Sequence, residues 1–261
     1  MRDEPVAPLL EMEKVSMCYH TPQGETAALS DISLRLEKGK FLAIVGPSGC
    51  GKSTILSLIA GLLSPSAGEI RIAGKLVEDG VSPLVGYMLQ HDHLFPWCSV
   101  LDNVQLGLKI RGQVTAEARQ KLAGLLEQYG LGDFCHSLPR HLSGGMRQRA
   151  ALIRTLALEP ELLLLDEPFS ALDYQTRIRV SDDIGGIIRS QGKTAVLVTH
   201  DISEAISLAD EVAVLSARPG RIKCQVPIEL SSPSNRVVDK RQAPEFAAYF
   251  DHIWKELNID A

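Results

Sequence analysis

Four short, almost wholly apolar runs predict the strands of a buried sheet: Phe41-Leu42-Ala43-Ile44-Val45, Leu162-Leu163-Leu164-Leu165, Thr194-Ala195-Val196-Leu197-Val198-Thr199 and Glu211-Val212-Ala213-Val214-Leu215. A strand covered on both faces needs no alternation, so the run at 41–45 reads as a buried parallel strand. Glu69-Ile70-Arg71-Ile72-Ala73-Gly74 does alternate. It is expected to pair with the β-prone segments Leu9 to Tyr19 and Ala28 to Leu36, which the turn Thr21-Pro22-Gln23-Gly24 separates, as an outer antiparallel sheet. From about His91 to Glu159 the pattern becomes helical. Val114 to Tyr129 is rich in Ala, Leu, Glu, Gln and Arg and stops at Gly130-Leu131-Gly132, and Met146 to Leu158 reads as a second helix. Ile55 to Ala60 continues as a helix after a glycine loop. Glu211 to Leu215 reads as the last strand, and the tail, closing with Phe246 to Leu257, is too short for a further domain. The whole is an α/β pattern.

At 261 residues, 45% of them hydrophobic, the chain can bury a sizeable core as one domain with an embedded subdomain. A net charge of −5 gives no sign of a nucleic-acid surface. The acidic start Met1-Arg2-Asp3-Glu4-Pro5 is not a secretory signal, and no apolar run approaches bilayer length, so a soluble, cytoplasmic protein is expected. Five scattered cysteines (Cys18, Cys50, Cys98, Cys135, Cys224) form no C-x-x-C pair, which suits a reducing compartment. His91 and His93 have no third ligand evident nearby, which argues against a metal site there.

Between the strand at 41–45 and the helix at 55–60 lies Gly46-Pro47-Ser48-Gly49-Cys50-Gly51-Lys52-Ser53-Thr54. Strand, glycine loop and helix are what a phosphate cradle requires, because close backbone N–H groups and a helix N-terminus both favour anions. Lys52 would reach the β- and γ-phosphates and the Ser53 hydroxyl would ligate Mg2+. Cys50 is either a thiol open to alkylation or a small residue that fits. Tyr19 either stacks on an adenine or is an ordinary half-buried sheet tyrosine.

Leu142-Ser143-Gly144-Gly145-Met146 offers an N-cap serine and a second helix N-terminus able to hold an anion. Arg147, Arg149 and Arg154 on that helix are read as a solvated face. Asp166 and Glu167 end the leucine strand where open parallel sheets place their ligand chemistry. Asp166 suits the outer Mg2+ shell and Glu167 suits polarising a water for attack on the γ-phosphate. Ser170-Ala171-Leu172-Asp173 follows, and His200 ends the strand at 194–199, placed to contact the γ-phosphate and hold the attacking water. Leu94-Phe95-Pro96-Trp97 either caps the core or, exposed, forms a patch that binds another protein.

The order of the loop at 46–54, Gln90, Leu142 to Met146, Leu162 to Glu167, Ser170 to Asp173 and His200 resembles the ATP-binding subunit of an ABC transporter, over nearly the whole chain. Met146 stands where Gln is often found. Phe95-Pro96-Trp97 with Val100 and Asp102-Asn103-Val104, and Ala217-Arg218-Pro219-Gly220-Arg221, resemble the nitrate/sulfonate/taurine importer branch. The resemblance implies a P-loop NTPase fold with a RecA-like core: 1–90 with the antiparallel β subdomain, 91–159 an inserted helical subdomain, 160–217 the rest of the core and 218–261 a C-terminal extension. It further implies ATP and Mg2+, with Gln90 on the metal or the attacking water, and a head-to-tail pair with a second copy. In that pair Ser143, Gly144, Gly145 and Met146 face the partner's phosphate loop, and Ser170, Ala171, Leu172 and Asp173 lie at the interface. Leu94, Phe95 and Trp97 would line a groove for an integral membrane permease, and a substrate-binding protein would act indirectly, at the cytoplasmic face of the membrane. The rivals are a small-molecule kinase, which has no need of the later motifs, a non-transport relative acting on DNA or ribosomes, and an importer cassette for an unrelated small solute.

Overall fold

The computed structural model describes residues 8–22, 24–78 and 80–258. Met1 to Pro5 and Gln23 lie outside them. In chain order the strands are β1 (Leu10–Thr21), β2 (Gly24–Leu36), β3 (Phe41–Val45), β4 (Ala67–Ile72), β5 (Lys75–Leu76), β6 (Val85–Met88), β7 (Leu162–Asp166), β8 (Thr194–Val198), β9 (Glu211–Leu215) and β10 (Ile222–Pro227). The α-helices are α1 (Lys52–Ile59), α2 (Val100–Val104), α3 (Leu106–Ile110), α4 (Ala116–Gln128), α5 (Gly144–Leu156), α6 (Tyr174–Ser190), α7 (Ile202–Leu208), α8 (Val237–Arg241) and α9 (Phe246–Asn258). None is long and apolar enough to cross a membrane, among the described residues.

A six-stranded sheet runs β10-β9-β3-β8-β7-β6, with β3 at its centre, parallel to both β8 and β9. Strand residues point alternately to opposite faces, and each face has its own core. Leu42 and Ile44 of β3 join Leu162, Leu164, Val196 and Val198 beneath α1 and the antiparallel sheet β2-β1-β4-β5. Phe41, Ala43 and Val45 join Leu163, Leu165, Ala195 and Leu197 against residues of α5, α6 and α7. The fully apolar runs follow from this double burial. The outer sheet alternates because it has one wet face, as in β4, where Ile70 and Ile72 are buried and Glu69 is exposed. That strand ends at Ile72 rather than Gly74. Ala73 and Gly74 both take positive φ (50° and 74°), a two-residue turn into β5.

A third cluster holds the helical layer, with Val100, Val104, Leu122, Leu126 and Leu142 packed on Ala150 and Ile153 of α5. The other flank of α5, Ala151, Leu152 and Leu156, belongs to the main core. The arginines of α5 are not a solvated face. Arg154 donates to the carbonyls of His93 (2.7 Å) and Asp92 (2.8 Å), Arg147 to the Asp92 carboxylate (3.0 Å) and the Leu142 carbonyl, and Arg149 to the Tyr129 carbonyl. Loop carbonyls need donors, and a long cationic side chain on an adjacent helix supplies them.

Nor is β9 the last strand. β10 pairs antiparallel with it, from Ile222 opposite Leu215 to Pro227 opposite Glu211. The half-exposed Lys223-Cys224-Gln225 hides this edge strand from a search for apolar runs. Beyond it α9 packs back on the main core through the fully buried Ile253.

Candidate functional site

Six residues, 46–51, carry the chain from the end of β3 to the first turn of α1. Gly49 (φ 76°) and Gly51 (φ 107°) hold the left-handed backbone that turns the loop, and a Cβ at Gly51 would lie 2.6 Å from Leu29 Cδ2. Lys52 is only 7% exposed. Its Nζ donates to the carbonyls of Gly46 (2.8 Å) and Pro47 (2.9 Å), so the ammonium group lies across the loop it belongs to. Cys50 is buried, which pushes its thiol pKa up. It packs the loop rather than offering a reactive thiolate.

Ser48, Gly49, Gly51, Lys52, Ser53 and Thr54 share a cavity of about 270 Å³ with Tyr19, Ala28, Glu167 and Arg218. Tyr19, near the end of β1, packs partly on the first core and places its hydroxyl 3.2 Å from Thr54 Oγ1. Tyr19 is thus a partly buried sheet tyrosine whose polar end stands at the cavity wall.

Asp166 ends β7 and is 8% exposed. Ser53 Oγ donates to one of its oxygens (3.0 Å) and the Tyr87 hydroxyl to the other (3.3 Å). Burial raises the Asp166 pKa against those two bonds. Burial, then the Asp166 charge, push the Tyr87 phenol up to about 12, so it stays a donor. Glu167 has φ 43°, a strained backbone for a non-glycine residue at a cost of about 1–3 kcal/mol. Its N–H donates to Val198 O (2.9 Å), and its carbonyl accepts from the N–H (3.2 Å) and hydroxyl (3.0 Å) of Ser170. This pins a carboxylate whose Oε2 accepts from Gln90 Nε2 (3.2 Å) and lies 3.3 Å from His200 Nδ1. Gln90 thus meets Glu167, not the Ser53–Asp166 pair.

Behind His200, Thr199 donates to the carboxylate of Glu204 (2.7 Å), which is 4% exposed. Burial pushes the Glu204 pKa up to about 7. A raised acid pKa favours the protonated form in the fold, so this contribution to stability is full below the unfolded value and is lost as pH rises through about 7. The whole swing is on the order of 3 kcal/mol. Glu204→Gln is therefore expected to gain thermal stability over the unmodified chain at pH 8 but not at pH 4.5. Parallel melts across pH check this, and a constant difference would remove Glu204 as its source.

Ser143 caps α5, accepting from Met146 N (3.3 Å). Gly145 sits where α5 meets α6, and a Cβ there would lie 2.7 Å from Val180 Cγ2. Leu172 is buried against Gly144, Asp173 caps α6, and Ala171 is exposed. Residues 143–146 and 170–173 do not line the cavity at 48–54 of their own chain.

Leu94 is buried in the helical layer (7%), which takes it out of any outward groove, whereas Phe95 (37%) and Trp97 (74%) face outward with ring centroids 5.3 Å apart. The fully buried Asn103 holds this loop, accepting from Phe95 N (2.7 Å) and donating to the carbonyls of Phe95, Cys98 and Ser99. Tyr87 and Glu204 carry no signal in the sequence, and Arg218 stands out there only as part of the stretch 217–221, with no tie to the cavity. Tyr87 and Glu204 become informative only once β6 and α7 are packed beside β7 and β8. Arg218 comes from a tail that nothing local connects to the phosphate loop.

Residues 29–170 match the protein family described as ABC transporter. The chain is 47% identical over 249 residues to an uncharacterised ABC transporter ATP-binding protein of Bacillus subtilis, covering 95% of each. It is 41% identical to a nitrate import ATP-binding protein of Synechocystis sp. (94% of this chain, 93% of that one) and 40% identical to a taurine import ATP-binding protein of Pseudomonas aeruginosa (91% of each). Among solved structures it resembles a dimeric ATP-binding cassette in a post-hydrolysis state bound to ADP and phosphate, at 31% identity and a TM-score of 0.72 over 84% of this chain and 99% of that one. With a glycine loop between β3 and α1 and a carboxylate pair ending β7, this chain belongs to the ABC transporter family, as one of its ATP-binding, ATP-hydrolysing subunits.

Proposed function

We propose that this chain is the ATPase of an importer for a small anionic or organosulfur or organonitrogen solute of the nitrate, sulfonate and taurine kind. It would work as a head-to-tail pair of copies on a membrane permease, peripherally at the cytoplasmic face, with a substrate-binding protein delivering the solute. The observation that carries the reading is Glu167, whose Oε2 is held by Gln90 and lies near His200 at the wall of the glycine-loop cavity. In it Glu167 orients the water that attacks the γ-phosphate, while His200 and Gln90 hold that carboxylate and the water in line. Lys52 and the N–H groups of 48–54 bind the phosphates, with Tyr19 beside the adenine. Ser53 Oγ and the Asp166 carboxylate, 3.0 Å apart, are hard oxygen donors that suit Mg2+, and a buried carboxylate gains from a cation beside it. When bound, Mg2+ would neutralise charge on the β- and γ-phosphates. Ser143 and Gly144 would meet the partner copy's nucleotide, with Ser170 to Asp173 between the copies. Residues 91–159 would carry the permease contact.

The importer part rests on relatives named for nitrate and taurine import and on the outward pair Phe95 and Trp97. Replacing both with Ala is expected to leave the melting temperature and basal ATPase close to those of the parent. Capture of the permease should fail, because anchoring aromatics are worth about 2 kcal/mol or more each. A double variant that still captures the permease would remove this contact. Uptake of labelled taurine, sulfonate and nitrate by cells with and without the chain tests the solute class. Co-purification with ribosomes or DNA instead of a membrane protein would overturn the importer reading.

A further inference from the structure

Arg218 has no role in the catalytic and phosphate-binding set described above, yet it lines the cavity formed by the glycine loop. It stands in the loop between β9 and β10, and that loop is tied to the cavity wall along its length. Gly220 N donates to Ala28 O (2.9 Å), and Ser30 N donates to Gly220 O (3.0 Å). Gly220 is packed so closely on the glycine loop that a single added carbon would run into the Cys50 carbonyl. Ser216 Oγ accepts from Arg221 N (3.0 Å) and donates to Ala217 O (2.9 Å), closing the loop on itself. A residue at the tip of so tethered a loop has a fixed position relative to the cradle.

The guanidinium is aimed by one bond, Nε donating to Ala27 O (3.2 Å). Ala27 pairs with Cys18 across the β1–β2 ladder, one register step from Tyr19 opposite Thr26. Arg218 therefore stands beside Tyr19 at the end of that sheet. Among the described residues its two terminal amino groups take no protein acceptor, so four of its five N–H donors remain for another group. A planar cation with free donors, beside a phenol and at the rim of a phosphate cradle, matches what a nucleotide presents beyond its terminal phosphates: an anionic α-phosphate, ribose hydroxyls and a flat π-face.

We propose that Arg218 is a nucleotide-binding residue, contacting the part of the molecule that ATP and ADP share and setting affinity for both without taking part in hydrolysis. The inference rests on the placement of the nucleotide in the Tyr19–Thr54 cavity. It makes the start of the C-terminal extension part of the ATP site.

Calorimetric titration of the full chain with ADP, and steady-state hydrolysis of MgATP, test it. Arg218→Gln keeps a donor for Ala27 O and removes the cation. It is expected to raise the ADP dissociation constant and the KM for ATP together, by about tenfold, with kcat within about twofold. Arg218→Lys should recover part of the loss, and melts without nucleotide should stay close to the parent's. A residue that merely holds its loop would instead lower the melting temperature or kcat. Unchanged ADP binding in Arg218→Gln, with binding lost in Lys52→Ala, overturns the inference and leaves the nucleotide placement standing. Unchanged binding in both variants overturns the two together. Should Arg218→Gln fail to fold, Arg218→Lys alone decides, since a change in kcat at constant ADP affinity contradicts the proposal.

Discussion

Changing Glu167 to Gln is expected to leave ATP bound while cutting steady-state hydrolysis about a thousandfold, the scale on which a positioned general base contributes. The amide keeps the size of the side chain and an oxygen that can still accept from Gln90, now 3.2 Å away. What it loses is the negative charge that orients and polarises a water. The backbone of Glu167, at φ 43° and fixed by Val198 and Ser170, has no reason to relax on this change, so folding should be spared. Phosphate release measures the loss, and size-exclusion chromatography with ATP should show the chain held as a dimer. Turnover within a few fold of the parent would take Glu167 out of the role of base.

Lys52→Ala acts earlier, on binding. A charge-assisted contact to phosphate is worth about 1.5–3 kcal/mol, so the ATP dissociation constant should rise about 10- to 100-fold. The same ammonium group ties the Gly46 and Pro47 carbonyls, so a modest fall in melting temperature, from about 1 kcal/mol per lost bond, should accompany it. Equilibrium titration with ATP beside a melt without it separates the two effects. An unchanged dissociation constant would mean that the cradle has been misassigned.

Much of this site was legible because its chemistry is carried by contiguous residues. The loop at 46–54, the pair Asp166-Glu167 and the cap Ser143 each announce themselves within a few positions, and β3, β7 and β8 could be read because double burial makes a strand wholly apolar. What stayed hidden was set by tertiary packing. β10 has only Val226 buried and mixes Lys223 and Gln225 with apolar residues, so its pairing with β9 leaves little trace in the pattern. Arg147 and Arg154, seven residues apart, share one face of α5, and the return of loop 91–93 over the helix gives them partners there, while Arg149 meets the Tyr129 carbonyl. Leu94 and Phe95 are adjacent and both apolar, and only the Asn103 bonds to the backbone decide which one faces water.

The bonds from α5 to that loop also limit how the molecule can move. Asp92 and His93 are fastened to α5 by Arg147 and Arg154, and Phe95 to Ser99 are fastened to α2 by Asn103, so the stretch from 92 to 99 travels with the helices. Upstream, Met88 is fixed in the sheet beside Leu165. The slack between the two bodies on this side is three residues, Leu89, Gln90 and His91, and extended chain covers at most about 3.6 Å per residue. Any displacement of the helical layer relative to β6 would therefore pass through the residue whose amide rests against Glu167. Leu89-Gln90-His91 is thus the short link, on this side, between the carboxylate of Glu167 and the helical layer.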